Sequence, residues 1–176
     1  MIRVNIDSIR VSLMSHLRVV ILKDPESGRY LAIFIGPFEA EAIAIKLQGQ
    51  TIERPLTHDL LKTVIGELGG RVRHIVVNDL RQDTFFARIV IDHNGQTYEV
   101  DARPSDSIAL AVRLEVPIYV EEAVMDRAAI MPDEEVDSES LDSLEVRGPG
   151  EESRLSVFED FVDSLDLDDL DDEEDD

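Results

Sequence analysis

Alternating apolar and polar residues predict strands along the first part of the chain. The alternation over residues 2–11 slips by one position after Ile6, which indicates a strand with a kink or bulge. Two further strands are predicted at 17–23 and 30–35, and the segment 24–28 between them has the composition of a turn. The chain is therefore predicted to begin with a bulged strand and a β-hairpin.

Two helices are predicted next. Pro37 suits the first position of a helix that runs to about Gly49. Thr57 is predicted to cap a second helix, which ends at the Gly69-Gly70 pair. The apolar residues of this second helix have the spacing of a buried face: Leu60, Leu61, Val64, Ile65 and Leu68.

The second half of the chain returns to strands. They are predicted at about 72–80, 84–92 and 96–102, and the turn His93-Asn94-Gly95 joins the last two.

Helical segments then close this half of the chain. Pro104 opens a helix that ends near Glu115, and a short helix is predicted at 121–129. Between them, the short strand 116–120 is predicted to lie at a sheet edge because it contains Pro117.

Residues 17–47 and 85–114 follow the same plan of strand, turn, strand, X-Pro and helix, which indicates an internal repeat. Three pairs of residues lie 67 positions apart: Gly28 with Gly95, Pro37 with Pro104, and Glu39 with Asp106. The predicted fold is α+β, with a mostly antiparallel or mixed sheet built from two β-hairpin–helix units and an inserted helix. Chance similarity of two generic units is the alternative.

Charge divides the chain at about Pro132. Residues 133–176 carry 21 acidic and two basic side chains, a net charge of −19, which leaves residues 1–132 at −3. So acidic a segment cannot bury enough apolar surface to fold, and we predict a domain over 1–132 followed by a largely disordered acidic tail. Apolar residues at near-helical spacing over 155–165 indicate a possible short helix in the tail.

Composition excludes several classes of protein. The chain has no cysteine, which excludes disulfide scaffolds, thiol nucleophiles and cysteine zinc sites. It has no apolar run near the roughly 20 residues of a membrane helix, and its first residues lack a signal-peptide profile. We therefore expect a cytoplasmic protein with no membrane partner.

Two acids related by the repeat are candidates for chemistry. Glu39 and Asp106 fall at the third position of their helices, where a carboxylate faces the partial positive charge of the helix N-terminus. Either each acid caps its own helix, or the pair holds a divalent cation, Mg²⁺ or Mn²⁺, that polarises a phosphodiester.

The segment 54–59 is the densest polar cluster. Arg54 offers a guanidinium fork to a phosphate, and His58 can act as a general acid or base near neutral pH. In the alternative interpretation, Thr57 and Asp59 only cap their helix and His58 is a solvated bystander.

Three segments resemble motifs of the bifunctional nuclease family. They are IFIGPFEA at 33–40, RPLTHDLL at 54–61 and RPSDSIALA at 103–111, and the resemblance covers residues 1 to about 130. It implies a compact α+β domain that associates into oligomers and a nuclease that acts on DNA and/or RNA. We expect metal assistance with Mg²⁺ or Mn²⁺.

The polar residues of these motifs are the candidate site residues. The predicted catalytic residues are Glu39, His58, Asp59 and Asp106. The predicted substrate-binding residues are Arg54, Thr57, Arg103 and Ser105, and the predicted metal ligands are Glu39 and Asp106.

Other functions compatible with these residues stay open. The chain can be a non-enzymatic homo-oligomeric interaction module, or a module that senses nucleotides or other anions. The acidic tail is predicted either to bind a basic partner or to occlude the site.

Overall fold

A computed structural model describes residues 1–11 and 18–131 of the chain. Within them the strands are β1 (Ile2–Val11), β2 (Arg18–Lys23), β3 (Tyr30–Ile35), β4 (Arg71–Arg81), β5 (Thr84–His93), β6 (Gln96–Ala102), β7 (Ile118–Val120) and β8 (Ala129–Ile130). The helices are α1 (Pro37–Leu47), α2 (Thr57–Glu67), α3 (Pro104–Leu114) and α4 (Glu122–Ala128). The predicted tail over 133–176, with its possible helix at 155–165, lies outside the described residues.

The described strands form one sheet in the order β6-β5-β4-β7-β1-β2-β3-β8. Neighbouring strands are antiparallel except β4 and β7, which are parallel. These observations confirm the prediction of an α+β fold with a mixed, mostly antiparallel sheet. The register of β1 against β2 shifts between Ile6 and Ser8, which confirms the bulge.

The two halves of the sheet repeat one plan on either side of β7. Strands β1-β2-β3 lead into α1, and strands β4-β5-β6 lead into α3. Because β7 is antiparallel to β1 and parallel to β4, strands β1 and β4 run in opposite directions, as a twofold axis perpendicular to the sheet requires. Gly28 and Gly95 both have a φ of 76°, as expected for equivalent turns. The repeated unit is thus one strand longer than the predicted hairpin and helix.

The prediction that the strand containing Pro117 lies at an edge is wrong. Strand β7 is central, and its residues Ile118 and Val120 are buried. Pro117 precedes the strand, so no ladder hydrogen bond requires its missing N–H, while its carbonyl accepts a 3.1 Å bond from the Ile75 amide. The two-residue strand β8 is too short to produce a periodic pattern, and the sequence analysis missed it.

Helix α3 is the most deeply buried of the described helices. Eight of its eleven residues are buried, and it packs against α1, α2, β4 and β5. The small side chains of Ala109 and Ala111 allow this close packing. Since α3 is held on several sides, the residues at its N-terminus have a fixed backbone position.

Helix α2 does not bury the apolar face that its spacing predicts. Leu60, Val64 and Leu68 are 58%, 44% and 71% exposed, and Leu61 is 36% exposed. Among the five predicted positions, Ile65 alone packs against the core cluster. The cause is that α2 bonds to α3 through its polar residues His58, Asp59 and Lys62.

Within residues 1–11 and 18–131, no helix has both the length and the apolar character needed to cross a bilayer.

Candidate active site at three helix N-termini

Helices α1, α2 and α3 each have an acid at the third position: Glu39, Asp59 and Asp106. In α2, Asp59 Oδ2 accepts a 3.1 Å hydrogen bond from the amide of Leu56 and so caps its own helix. Glu39 and Asp106 instead accept hydrogen bonds from Arg103. The capping interpretation therefore applies to Asp59, and the other two acids belong to a shared cluster.

Arg103 joins the N-termini of α1 and α3. Its Nε donates to Asp106 Oδ2 and its Nη2 donates to Glu39 Oε1, and each of these hydrogen bonds is 2.7 Å long. Arg103 is the N-cap of α3, and Ser107 Oγ donates a 3.0 Å bond to its carbonyl oxygen. The side chain of Arg103 is 67% exposed, and only two of the five guanidinium N–H donors are bound to these carboxylates. The guanidinium can therefore receive an anion from solvent.

His58 reaches the same cluster from α2. The residue is 8% exposed, and its Nε2 lies 3.1 Å from Asp106 Oδ1. Because an ionised carboxylate only accepts hydrogen bonds, we assign the proton to Nε2. His58 Nδ1 is buried and has no hydrogen-bond partner among the described residues. His58 therefore orients Asp106, and the interpretation of His58 as a solvated bystander is wrong.

The pKa of Asp106 reflects opposing effects. Burial raises this pKa, but the hydrogen bonds and charges of Arg103 and His58 lower it more, so the net pKa lies below the ordinary aspartate value. Asp106 is consequently ionised at neutral pH, with one oxygen bonded to His58 and the other to Arg103.

The lowered pKa of Asp106 predicts a pH-dependent contribution to stability. The folded pKa lies below the unfolded value of about 3.9, so the ionised carboxylate stabilises the fold above that pH and loses this effect as the pH falls through the folded pKa. We expect the difference in unfolding free energy between wild type and Asp106→Asn to shrink below about pH 4, measured by urea denaturation. A difference that stays constant down to about pH 2 would contradict this expectation.

The cluster lines a cavity of about 380 Å³ formed by α1, α2 and the N-terminus of α3. Its polar lining residues are Glu39, Glu41, Thr57, His58, Arg103 and Asp106. Its apolar lining residues are Phe38, Ala42, Ile45 and Leu56. The fold thus brings three of the four predicted catalytic residues to one cavity, from segments that are distant in sequence.

Asp59 is the predicted catalytic residue that does not join them. Its Oδ1 accepts a 2.9 Å hydrogen bond from Nε of the buried Arg113, and its Oδ2 caps α2. Asp59 therefore links α2 to α3, and its observed contacts are structural.

The predicted substrate-binding residues are divided. Arg103 and Thr57 line the cavity, but Thr57 is the first helical residue and Leu56 is the N-cap, so the prediction that Thr57 caps α2 is wrong. Asp59 supplies the capping carboxylate instead. The exposed Arg54 and the buried Ser105 lie outside the described lining of the cavity.

The cavity does not suit the predicted divalent cation. Mg²⁺ and Mn²⁺ prefer several oxygen ligands, but both oxygens of Asp106 are hydrogen-bonded and Glu39 is paired with Arg103. Over residues 1–11 and 18–131, no three His, Asp or Glu side chains are grouped so that they could hold a metal ion. The guanidinium of Arg103 already bridges the two carboxylates. The assistance of cleavage by Mg²⁺ or Mn²⁺ stays a prediction.

Sequence patterns missed Phe38 and Arg113. Phe38 lies within the motif at 33–40, outside the buried face of α1, and it lines the cavity. Arg113 aligns with Lys46 in the repeat, and this match of two basic residues was the signal that could have singled Arg113 out. Its burial could not be read from that alignment, because Lys46 is exposed in the equivalent helix.

Comparison with known proteins identifies a family model and a relative that each match most of the chain. The model of the bifunctional nuclease domain matches residues 20–133. The uncharacterized protein Rv1829 of Mycobacterium tuberculosis is 40% identical over 162 residues, which cover 92% of this chain and 93% of that protein.

Plant relatives match a shorter segment. Bifunctional nuclease 1 of Arabidopsis thaliana is 27% identical over 108 residues, which cover 60% of this chain and 33% of the plant protein. Bifunctional nuclease 2 of Oryza sativa subsp. japonica is 28% identical over 105 residues, which cover 58% and 32%. The cavity residues Glu39, His58, Arg103 and Asp106 all lie within the range matched by the family model. The chain therefore belongs to the bifunctional nuclease domain family.

Proposed function

We propose that this protein is a nuclease that hydrolyses phosphodiester bonds of DNA and/or RNA at the cavity shared by α1, α2 and α3. One observation carries the proposal: Arg103, exposed at the cavity, is held by two carboxylates from different helices, and a buried histidine positions one of them. Membership of the family, whose plant relatives are named bifunctional nucleases, supports this type of reaction.

Arg103 has the role of phosphate ligand. A guanidinium binds phosphate through parallel N–H donors, and it stabilises the negative charge that develops on the phosphoryl oxygens in the transition state. The contacts with Glu39 and Asp106 fix its orientation before substrate arrives. His58 and Asp106 are positioning residues in this scheme.

Glu39 has the role of general base. Its Oε1 accepts from Arg103, and no hydrogen bond from a described residue to its Oε2 is found. A Cβ at Gly36 would collide with this Oε2, so glycine leaves room for the carboxylate at this place. Glu39 takes a proton from water as the water oxygen bonds to phosphorus and the P–O bond to the leaving sugar oxygen breaks. The leaving oxygen takes its proton from solvent.

Cleavage assays test this function. Labelled single-stranded DNA, duplex DNA and RNA are incubated with wild type and with Glu39→Gln, each with Mg²⁺, with Mn²⁺ and with chelator. Cleavage that needs Glu39 supports the proposal, and the metal arms test the predicted cofactors.

A homo-oligomeric interaction module is the second candidate function, and α2 favours it. Leu60, Leu61 and Val64 on α2, together with Leu68 at its C-cap, form an apolar face that is exposed in the single chain. Contiguous exposed apolar surface of this kind is typical of protein–protein contacts. A second copy of the chain is the occupant we propose, since an isologous contact buries the same face on both copies.

This candidate predicts an oligomer that charge disrupts. Wild type is expected to exceed the monomer mass of 19.8 kDa in light scattering after size exclusion, and the double variant Leu60→Lys/Val64→Lys to return to that mass. Circular dichroism checks that the variant is folded. A monomeric wild type at all accessible concentrations would exclude the oligomer, and cleavage by the monomeric variant would separate the two functions.

A further inference from the structure

We propose that the cavity binds one unpaired nucleobase, stacked on Phe38, and that single-stranded nucleic acid is therefore the substrate class of this site. This inference rests on the proposed nuclease function, which it deepens.

Phe38 has no place in the core. It is the second residue of α1, directly before Glu39, and it is 81% exposed, more than any other large apolar side chain among the described residues. The buried residues of α1 are Ala40, Ala42 and Ile43. Exposing a phenyl ring to water sacrifices the free energy that its burial would release, so stability does not explain Phe38.

The lining of the cavity has an apolar part and an ionic part. Phe38, Ala42 and Ile45 belong to the apolar part, and Arg103 with Glu39 belongs to the ionic part. A nucleotide is divided in the same way, into a base with apolar faces and an anionic phosphate. The volume of about 380 Å³ is at the lower end of the range of ligand sites and suits one nucleotide.

A duplex cannot offer the same contact. Bases in a duplex are stacked on their neighbours, and a protein side chain reaches their faces only after unpairing or base flipping. Phe38 is at the exposed side of the cavity, where the base of a single strand can meet it without that cost.

Because the charges of the cavity lining are mostly negative, we expect base stacking on Phe38 to supply much of the binding affinity. The lining contains three carboxylates, from Glu39, Glu41 and Asp106, against the single guanidinium of Arg103. The lining as a whole is therefore negative and does not attract a polyanion by its net charge, so base stacking supplies attraction that does not depend on the phosphate.

The sequence offers a direct spectroscopic test. The chain has no tryptophan, so Phe38→Trp places its sole indole at the cavity. The full-length variant, in a Glu39→Gln background to prevent cleavage, is titrated with oligothymidylate and oligouridylate. We expect saturable quenching of the indole fluorescence by both single strands. An abasic strand and a blunt duplex of the same length are expected to cause little quenching.

Binding measurements on substituted chains complete the test. Phe38→Ala is expected to raise the Kd for a labelled single strand roughly 5- to 100-fold, and Phe38→Tyr to keep it near the wild-type value. Tyr98→Ala, at an exposed aromatic residue of the edge strand β6, is the matched control and is expected to leave the Kd unchanged.

The outcomes separate this inference from the proposed function. Equal Kd values for wild type and Phe38→Ala, or equal affinity for single strand and duplex, would overturn the base site even if wild type cleaves its substrate. Saturable quenching together with no cleavage by wild type would support the base site and overturn the nuclease.

Discussion

Replacing Asp59 with alanine is expected to destabilise the domain by about 3–5 kcal/mol, because it leaves a buried charge without its partner. The side chain of Arg113 is 3% exposed; its Nε donates to Asp59 and its Nη1 donates to the carbonyl of Ala109. Loss of the carboxylate removes the counter-charge and also the cap on the amide of Leu56.

Removing the other partner of this pair is expected to cost less. In Arg113→Met the carboxylate of Asp59 is left, but that side chain is 39% exposed and water can solvate it. Methionine also retains apolar packing along α3. We expect about 1–2 kcal/mol for Arg113→Met, and a double variant Asp59→Ala/Arg113→Met that is less destabilised than the sum of the two single variants. Urea denaturation at pH 7 measures all three.

Asp126→Ala is the matched control, since Asp126 forms an exposed ion pair with Arg29. Its expected cost is at most about 1 kcal/mol. If Asp59→Ala costs no more than this control and the folded variant no longer cleaves nucleic acid, Asp59 has a catalytic role after all and our structural assignment is wrong.

Glu39→Gln is expected to lower kcat for phosphodiester cleavage by about 10²- to 10⁴-fold, the usual contribution of a general base. Glutamine has nearly the same shape, and its amide oxygen can still accept the Nη2 bond from Arg103. What it loses is the capacity to take a proton from water. The rate is measured with a labelled single strand under saturating conditions.

Two further variants sharpen this experiment. Glu67→Gln makes the same change at the exposed last residue of α2, at the other end of that helix from His58, and is expected to leave kcat unchanged. Arg103→Lys keeps the charge but loses the planar fork that binds Asp106 and Glu39 together, so we expect it to lower kcat/KM. Equal cleavage by wild type and Glu39→Gln would refute the mechanism. If a chelator abolishes cleavage by wild type, the reaction needs the predicted divalent cation and the metal-free mechanism is wrong.

Local patterns were sufficient for most of the secondary structure. The strands over 30–35 and 96–102 and the helix starts at Pro37 and Pro104 match the sequence predictions residue for residue. Alternation, turn composition and proline act over a few neighbouring residues, so their consequences can be read without knowing the fold.

Strand order and helix orientation could not be obtained in this way. The rule that proline marks an edge failed for β7, because Pro117 lies just before a strand that two distant strands enclose. The apolar spacing of α2 suggested a buried face, but α2 bonds to α3 through polar side chains, because the buried Arg113 requires a counter-charge.

The sequence by itself determined that three helices carry an acid in their first turn, and that two of these helices belong to a repeat. Only the tertiary structure decided that Asp59 caps its helix and neutralises Arg113, whereas Glu39 and Asp106 meet at Arg103. The reason is physical: a carboxylate takes the role that its nearest cation imposes. The cations for Glu39 and Asp59 lie 64 and 54 residues away along the chain, beyond the reach of any local pattern.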